Sequence, residues 1–80
     1  MACRNRDFIE MFHKRWLRPV GWTVAPRPGY WTGIVIYAKE SGQREHLLDS
    51  CRLPTESAAA EHASSLLKQA QDYAKAGRLE

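Results

Sequence analysis

Trp31-Thr32-Gly33-Ile34-Val35-Ile36-Tyr37-Ala38 is the stretch whose reading decides the fold. A β-branched or aromatic residue stands at nearly every position, with a Pro28-Gly29 turn before it and a Ser41-Gly42 turn after it. It reads as the central strand of a small antiparallel sheet, from Tyr30 to about Lys39. On an extended chain Thr32, Ile34, Ile36 and Ala38 point one way, while Trp31, Val35 and Tyr37 point the other. One face is expected to rest on the C-terminal helix. The other, aromatic face must be covered or used.

Before this strand, Gly21 to Ala25 reads as a short strand. Pro26-Arg27-Pro28-Gly29 then turns, with Pro28 and Gly29 suited to the central positions of a type II turn. After it, Glu40-Ser41-Gly42-Gln43 closes a hairpin in which Gly42 supplies the positive φ, and a return strand covers roughly Arg44 to Leu53. A two-residue Ser41-Gly42 loop sets Ile36 opposite Leu47 and Tyr37 opposite His46. A three-residue loop shifts the register by one, and the sequence leaves both open.

Helices are expected at the two ends. In residues 6–18, Phe8, Phe12 and Trp16 recur every four residues beside Ile9, as on an amphipathic helix. Asn5 could cap it, and Pro19 would stop it. An extended edge strand is the rival reading of the same residues. Thr55 is suited to cap a second helix running to Ala76, with Glu56 in the first turn and Gly77 at the end. Ala59, Ala63, Leu66, Leu67, Ala70, Tyr73 and Ala74 lie along one side of it, small enough for close approach to a sheet. The expected fold is thus α+β, a three-stranded antiparallel sheet packed on a long C-terminal helix (about 55–76). The N-terminal segment, expected to be helical, covers part of the other face or an edge.

Eighty residues hold one domain, expected over 1–80, with residues 1–5 mobile and 77–80 a tail whose Leu79-Glu80 resembles a tag scar. Its composition, 44% hydrophobic and 26% charged, is that of a globular chain. The longest apolar run, Ile34 to Ala38, is far too short to span a membrane. Met1 to Arg6 is basic but leads into no apolar core of a signal peptide. Cys3 and Cys51 are too few for a disulfide framework, so free thiols and a cytoplasmic location are expected. The charge is +3 overall, and the N-terminal eighteen residues alone hold five bases against two acids.

No enzyme is expected. His13, His46, His62, Cys3 and Cys51 show no short metal-ligand spacing, so no metal or cofactor site is read. Cys51 and His46, an odd number apart, fall on opposite faces of a regular strand. Asp49 and Glu45 read as solvated carboxylates, and no Gly-rich phosphate loop occurs. The best expectation is a non-enzymatic interaction module. Its partner is a protein or a second copy, met through Trp22, Trp31 and Tyr37. The alternative is an electrostatic nucleic-acid binder using Arg4, Arg6, Lys14, Arg15, Arg18 and Arg27. Against both stands the plain reading that Phe8, Phe12 and Trp16 fold over Trp31 and Tyr37 to complete a core.

The order helix–strand–strand–strand–helix resembles the double-stranded RNA-binding domain in topology. That family opens its second helix with a lysine-rich, Gly-containing phosphate grip. Here the helix opens Thr55-Glu56-Ser57-Ala58-Ala59-Ala60, with no Lys or Arg between Arg52 and Lys68. The helix, Gly-Trp strand start and hairpin also resemble HicA-type toxin ribonucleases, but Gly29-Tyr30-Trp31 supplies no catalytic His in their Gly-Ser-His position. Residues 21–76, a meander followed by a Thr-x-x-x-Ala helix start at Thr55 to Ala59, resemble small bacterial domains that carry no assigned activity.

Overall fold

In a computed structural model, which describes residues 5–76, the chain runs α1 (Asn5–Lys14), β1 (Arg18–Arg27), β2 (Tyr30–Ala38), β3 (Arg44–Leu48) and α2 (Glu56–Ala76). The expectations for residues 1–4 and 77–80, Arg4 and Cys3 among them, lie outside the described residues. The sheet is antiparallel, ordered β1-β2-β3, with the long C-terminal helix against it. The α+β expectation holds.

Each turn has a local cause. Arg27 pairs with Tyr30 across Pro28-Gly29, and Gly29 sits at φ +81°, as a type II turn requires. Between β2 and β3 the loop has three residues. Lys39 N donates to Gln43 O at 2.8 Å, Gly42 N donates to Lys39 O at 2.9 Å, and Gly42 takes φ +92°. A type I turn closed by a left-handed residue gives this hairpin. Ile36 therefore faces His46, and Tyr37 faces Glu45.

α1 is shorter than the 6–18 expected. It ends in a Schellman motif, with Trp16 N donating to His13 O and Leu17 N to Phe12 O. Trp16 takes the left-handed position, φ 62°, that glycine usually fills. Leu17 folds back beside Phe12 in the core, so the helix stops well before Pro19. Pro19 instead lies within β1, which starts at Arg18 and shifts register between Pro19 and Gly21. An edge strand tolerates this proline because its outer side needs no ladder bond. Asn5, expected as the cap, is the first residue of α1 and is buried and bonded to Asp49 across the fold.

Thr55 caps α2 as expected, its Oγ1 accepting from Ala58 N at 3.1 Å. The buried side of α2 is Ala59, Ala63, Leu66, Ala70 and Tyr73, whereas Ala74 is exposed. A methyl built on Gly33 would stand 3.0 Å from Ala63 Cβ and 3.1 Å from Ala59 O, so the helix backbone sits directly on the strand here.

Both helices cover the aromatic face of the sheet, as expected for α1 but not for α2, which was expected on the opposite face. Ile9, Phe12 and Leu17 join Val35, Tyr37, Leu47, Leu66, Ala70 and Tyr73 in one core. Phe12 and Tyr37 have ring centroids 4.8 Å apart. Both helices therefore share the side of Gly33, Val35 and Tyr37. Aromatic rings bury large areas, and Phe12 of α1 and Tyr73 of α2 meet Tyr37 in the same cluster on this side. Among the described residues, no helix lies over the opposite, Ile34–Ile36 face.

Candidate functional site

The outer sheet face follows from the register. Across β1, β2 and β3 it carries Thr23 beside Ile34 and Leu48, and Gly21 beside Ile36 and His46. Ile34 is buried, Ile36 is half-buried and Leu48 is 49% exposed. At one end Arg18 and Arg44 flank Ala38. At the other, Arg27 pairs with Tyr30, and the Arg52 guanidinium lies 4.9 Å from the centre of the Tyr30 ring. An aliphatic centre thus stands between two arginine pairs. Glu40 in the hairpin lies 3.8 Å from Arg18 and is almost fully exposed.

The residues singled out from sequence are not brought together. Tyr37 is buried in the core and cannot meet a partner, Trp31 is half-buried and bridged to Leu53, and Trp22 is exposed on β1 on the helix side of the sheet. Lys14 pairs with Glu10 along α1, and Arg15 holds Glu45 at 2.9 Å while lying over the Phe12 ring. Arg6 is exposed on α1. Arg18 and Arg27 occupy opposite ends of a ten-residue strand, about 30 Å apart at ~3.3 Å per residue. Arg44 and Arg52, which complete the two pairs, were not selected from sequence. Only the hairpin register and the stacking on Tyr30 place them. Trp16 is the most exposed aromatic, at 87%, so of the three rings expected to close the core only Phe12 does so fully; Phe8 is 37% exposed.

A second constellation lies beneath the start of α2, and the spacing of its residues gave no sign of it. Asp49 N still bonds Gly33 O, but pairing resumes only at Trp31 and Leu53. The strand expected to reach Leu53 thus ends at Leu48, and Ser50 to Arg52 loop away. The Asp49 side chain is fully buried rather than solvated. Its Oδ1 accepts from Asn5 Nδ2 at 2.9 Å and from Cys51 N at 2.8 Å, while Oδ2 contacts His62 Nδ1. Asn5 Oδ1 in turn accepts from Ser50 N and Ser50 Oγ. A carboxylate held this way fixes the orientation of the imidazole. Ser50's hydroxyl is committed to Asn5, and Cys51 is disulfide-bonded, which corrects the free-thiol expectation for it. Neither is poised as a nucleophile.

Tyr37 is the third polar feature inside the fold. Its hydroxyl is buried with no hydrogen-bond partner among the described residues, and burial pushes the phenol from 10.0 up to about 12. No helix among the described residues is long and apolar enough to cross a membrane. No known protein family, curated protein or solved structure matches the chain.

Proposed function

We propose that the chain is a non-enzymatic protein-interaction module that receives an acidic polypeptide surface on its outer sheet face. One observation supports this above others, namely the aliphatic Ile34–Ile36–Leu48 centre between the Arg18–Arg44 and Arg27–Arg52 pairs. Burying a side chain such as Leu48 fully is worth about 1.5–3 kcal/mol, and arginine forks pair with carboxylates bidentately. β1 is an edge strand that pairs with no strand but β2 among the described residues, so its outer side adjoins this face as a strand-pairing edge.

Nucleic acid fits the same arginines less well. Sequence-tolerant binding to single strands needs rings on which bases stack. Among the described residues the outer face offers Tyr30, half-buried and already faced by Arg52, and the single imidazole of His46, with no Trp or Phe beside them. Its centre is aliphatic, which suits a protein partner.

The test compares the wild type with Leu48→Asp and Arg44→Glu, using Lys68→Glu on the exposed side of α2 as control. A protein captured by the wild type and by Lys68→Glu, but by neither outer-face variant, is purified. It is then titrated into labelled chain. Amide shifts at Thr23, Ile36 and Leu48 that persist at physiological salt are the expected result. Capture unaffected by both outer-face variants would sink the reading. Binding confined to DNA or RNA oligonucleotides, collapsing as salt rises, would replace it with the nucleic-acid alternative.

A further inference from the structure

We propose that Asp49, Cys51 and His62 form a binding site for a divalent transition ion of the zinc class, opened when the Cys51 disulfide is reduced. One ligand atom from each of the three lies within 4.8 Å of the other two. Zinc bonds of about 2.0–2.3 Å reach three such atoms from one centre after small side-chain rotations. A thiolate, an imidazole nitrogen and a carboxylate oxygen together suit zinc, whereas magnesium and calcium prefer all-oxygen shells.

The surroundings are arranged as a metal site requires. Ligands are held by outer partners that fix their orientation, and Asp49 Oδ1 is fixed by Asn5 Nδ2 and Cys51 N. That leaves Oδ2 directed at His62 Nδ1. Ser50 anchors Asn5 in turn. The carboxylate and a thiolate would neutralise a dication in this partly buried site, offsetting the penalty of an isolated charge. His62 is 37% exposed, so an ion has an entry path and a fourth position open to water. The loop-out after Leu48 brings Asp49 and Cys51, two residues apart, beneath a histidine one turn and a half into α2.

Opening the site is a two-electron step. A dithiol reductant passes two electrons and two protons to the Cys51 disulfide, which becomes two thiols, and the reductant closes into its own cyclic disulfide. On metal binding the Cys51 thiol releases its proton. His62 ligates as the neutral imidazole through Nδ1, with its ring proton on Nε2. The oxidised chain has no thiolate to offer and remains closed to the metal.

The experiment is a cobalt(II) and zinc titration of the full chain, oxidised and after reduction by a phosphine, under anaerobic conditions. The reduced chain is expected to bind one ion, with a thiolate-to-cobalt charge-transfer band in the near ultraviolet and visible bands of tetrahedral intensity. Zinc should bleach both. Cys51→Ser should abolish the charge-transfer band, and His62→Ala and Asp49→Asn should each weaken binding about tenfold or more. Far-ultraviolet circular dichroism checks that each variant is folded, and Cys51→Ser, the least disruptive change, keeps the test decisive if another is not. Equal binding by the oxidised chain, an unchanged spectrum in Cys51→Ser, or no saturable binding after reduction would overturn the proposal. None of these results depends on the outer sheet face.

Discussion

Gly33→Ala tests the closest contact in the structure. Gly33 has an ordinary negative φ, so the backbone would accept a side chain, and the constraint is space alone. The new methyl would stand 3.0 Å from Ala63 Cβ, 3.1 Å from Ala59 O and 3.3 Å from Ala63 Cα. Carbon pairs are comfortable at about 3.5–4.0 Å, so α2 must lift by roughly half an ångström at its first turns. None of the three atoms is the tip of a flexible side chain. Overpacking of this kind costs about 1–3 kcal/mol, and the stiffer unfolded chain returns about 0.4–1 kcal/mol. A net loss of about 1.5 kcal/mol is expected, which lowers the Tm of so small a domain by about 6–12 °C. Thermal and urea unfolding followed by circular dichroism measures it. Ala63→Gly, which alone costs about 1 kcal/mol of helix propensity, should cost less in the Gly33→Ala background because it removes the nearest obstacle. A Gly33→Ala chain as stable as the wild type, or a strictly additive double variant, would refute the close seating of α2 on β2.

Further outcomes follow from two particular side chains. Tyr37→Phe deletes a buried hydroxyl without a partner among the described residues, so stability should be unchanged or rise by up to about 2 kcal/mol. The wild type should also lose stability as pH rises from 10.0 toward about 12, because the unfolded phenol ionises first, and Tyr37→Phe should lack that component. Urea midpoints at neutral and alkaline pH decide this, and a loss above about 1 kcal/mol in the variant would mean that the hydroxyl is bonded. Trp16→Gly relieves a left-handed backbone, φ 62°, at a side chain that is 87% exposed. It should stabilise the chain by about 0.5–1 kcal/mol in equilibrium unfolding. A destabilised variant would show that the indole packs on the fold.

The sequence by itself determined β2, α2 and the turn that joins β1 to β2. β-Branched and aromatic density marked β2, Thr55 and the alanine-rich run marked α2, and Pro28-Gly29 defined its turn, because these depend on local backbone and side-chain preferences. What depended on distant residues was decided only by the tertiary structure. The hairpin register rests on one loop residue and reverses which side chains face each other across β2 and β3. Alternation separated the two faces of β2 but did not say which the helices would cover, since both are apolar. The packing of Phe12 on Tyr37 and of Ala63 on Gly33 settles that. The arginine pairs needed the register, and Arg44 and Arg52 had no local mark. The Asp49 cluster was hidden most deeply. Its residues come from α1, the loop after β3 and α2, and no sequence spacing connects groups that meet only when those three are packed together.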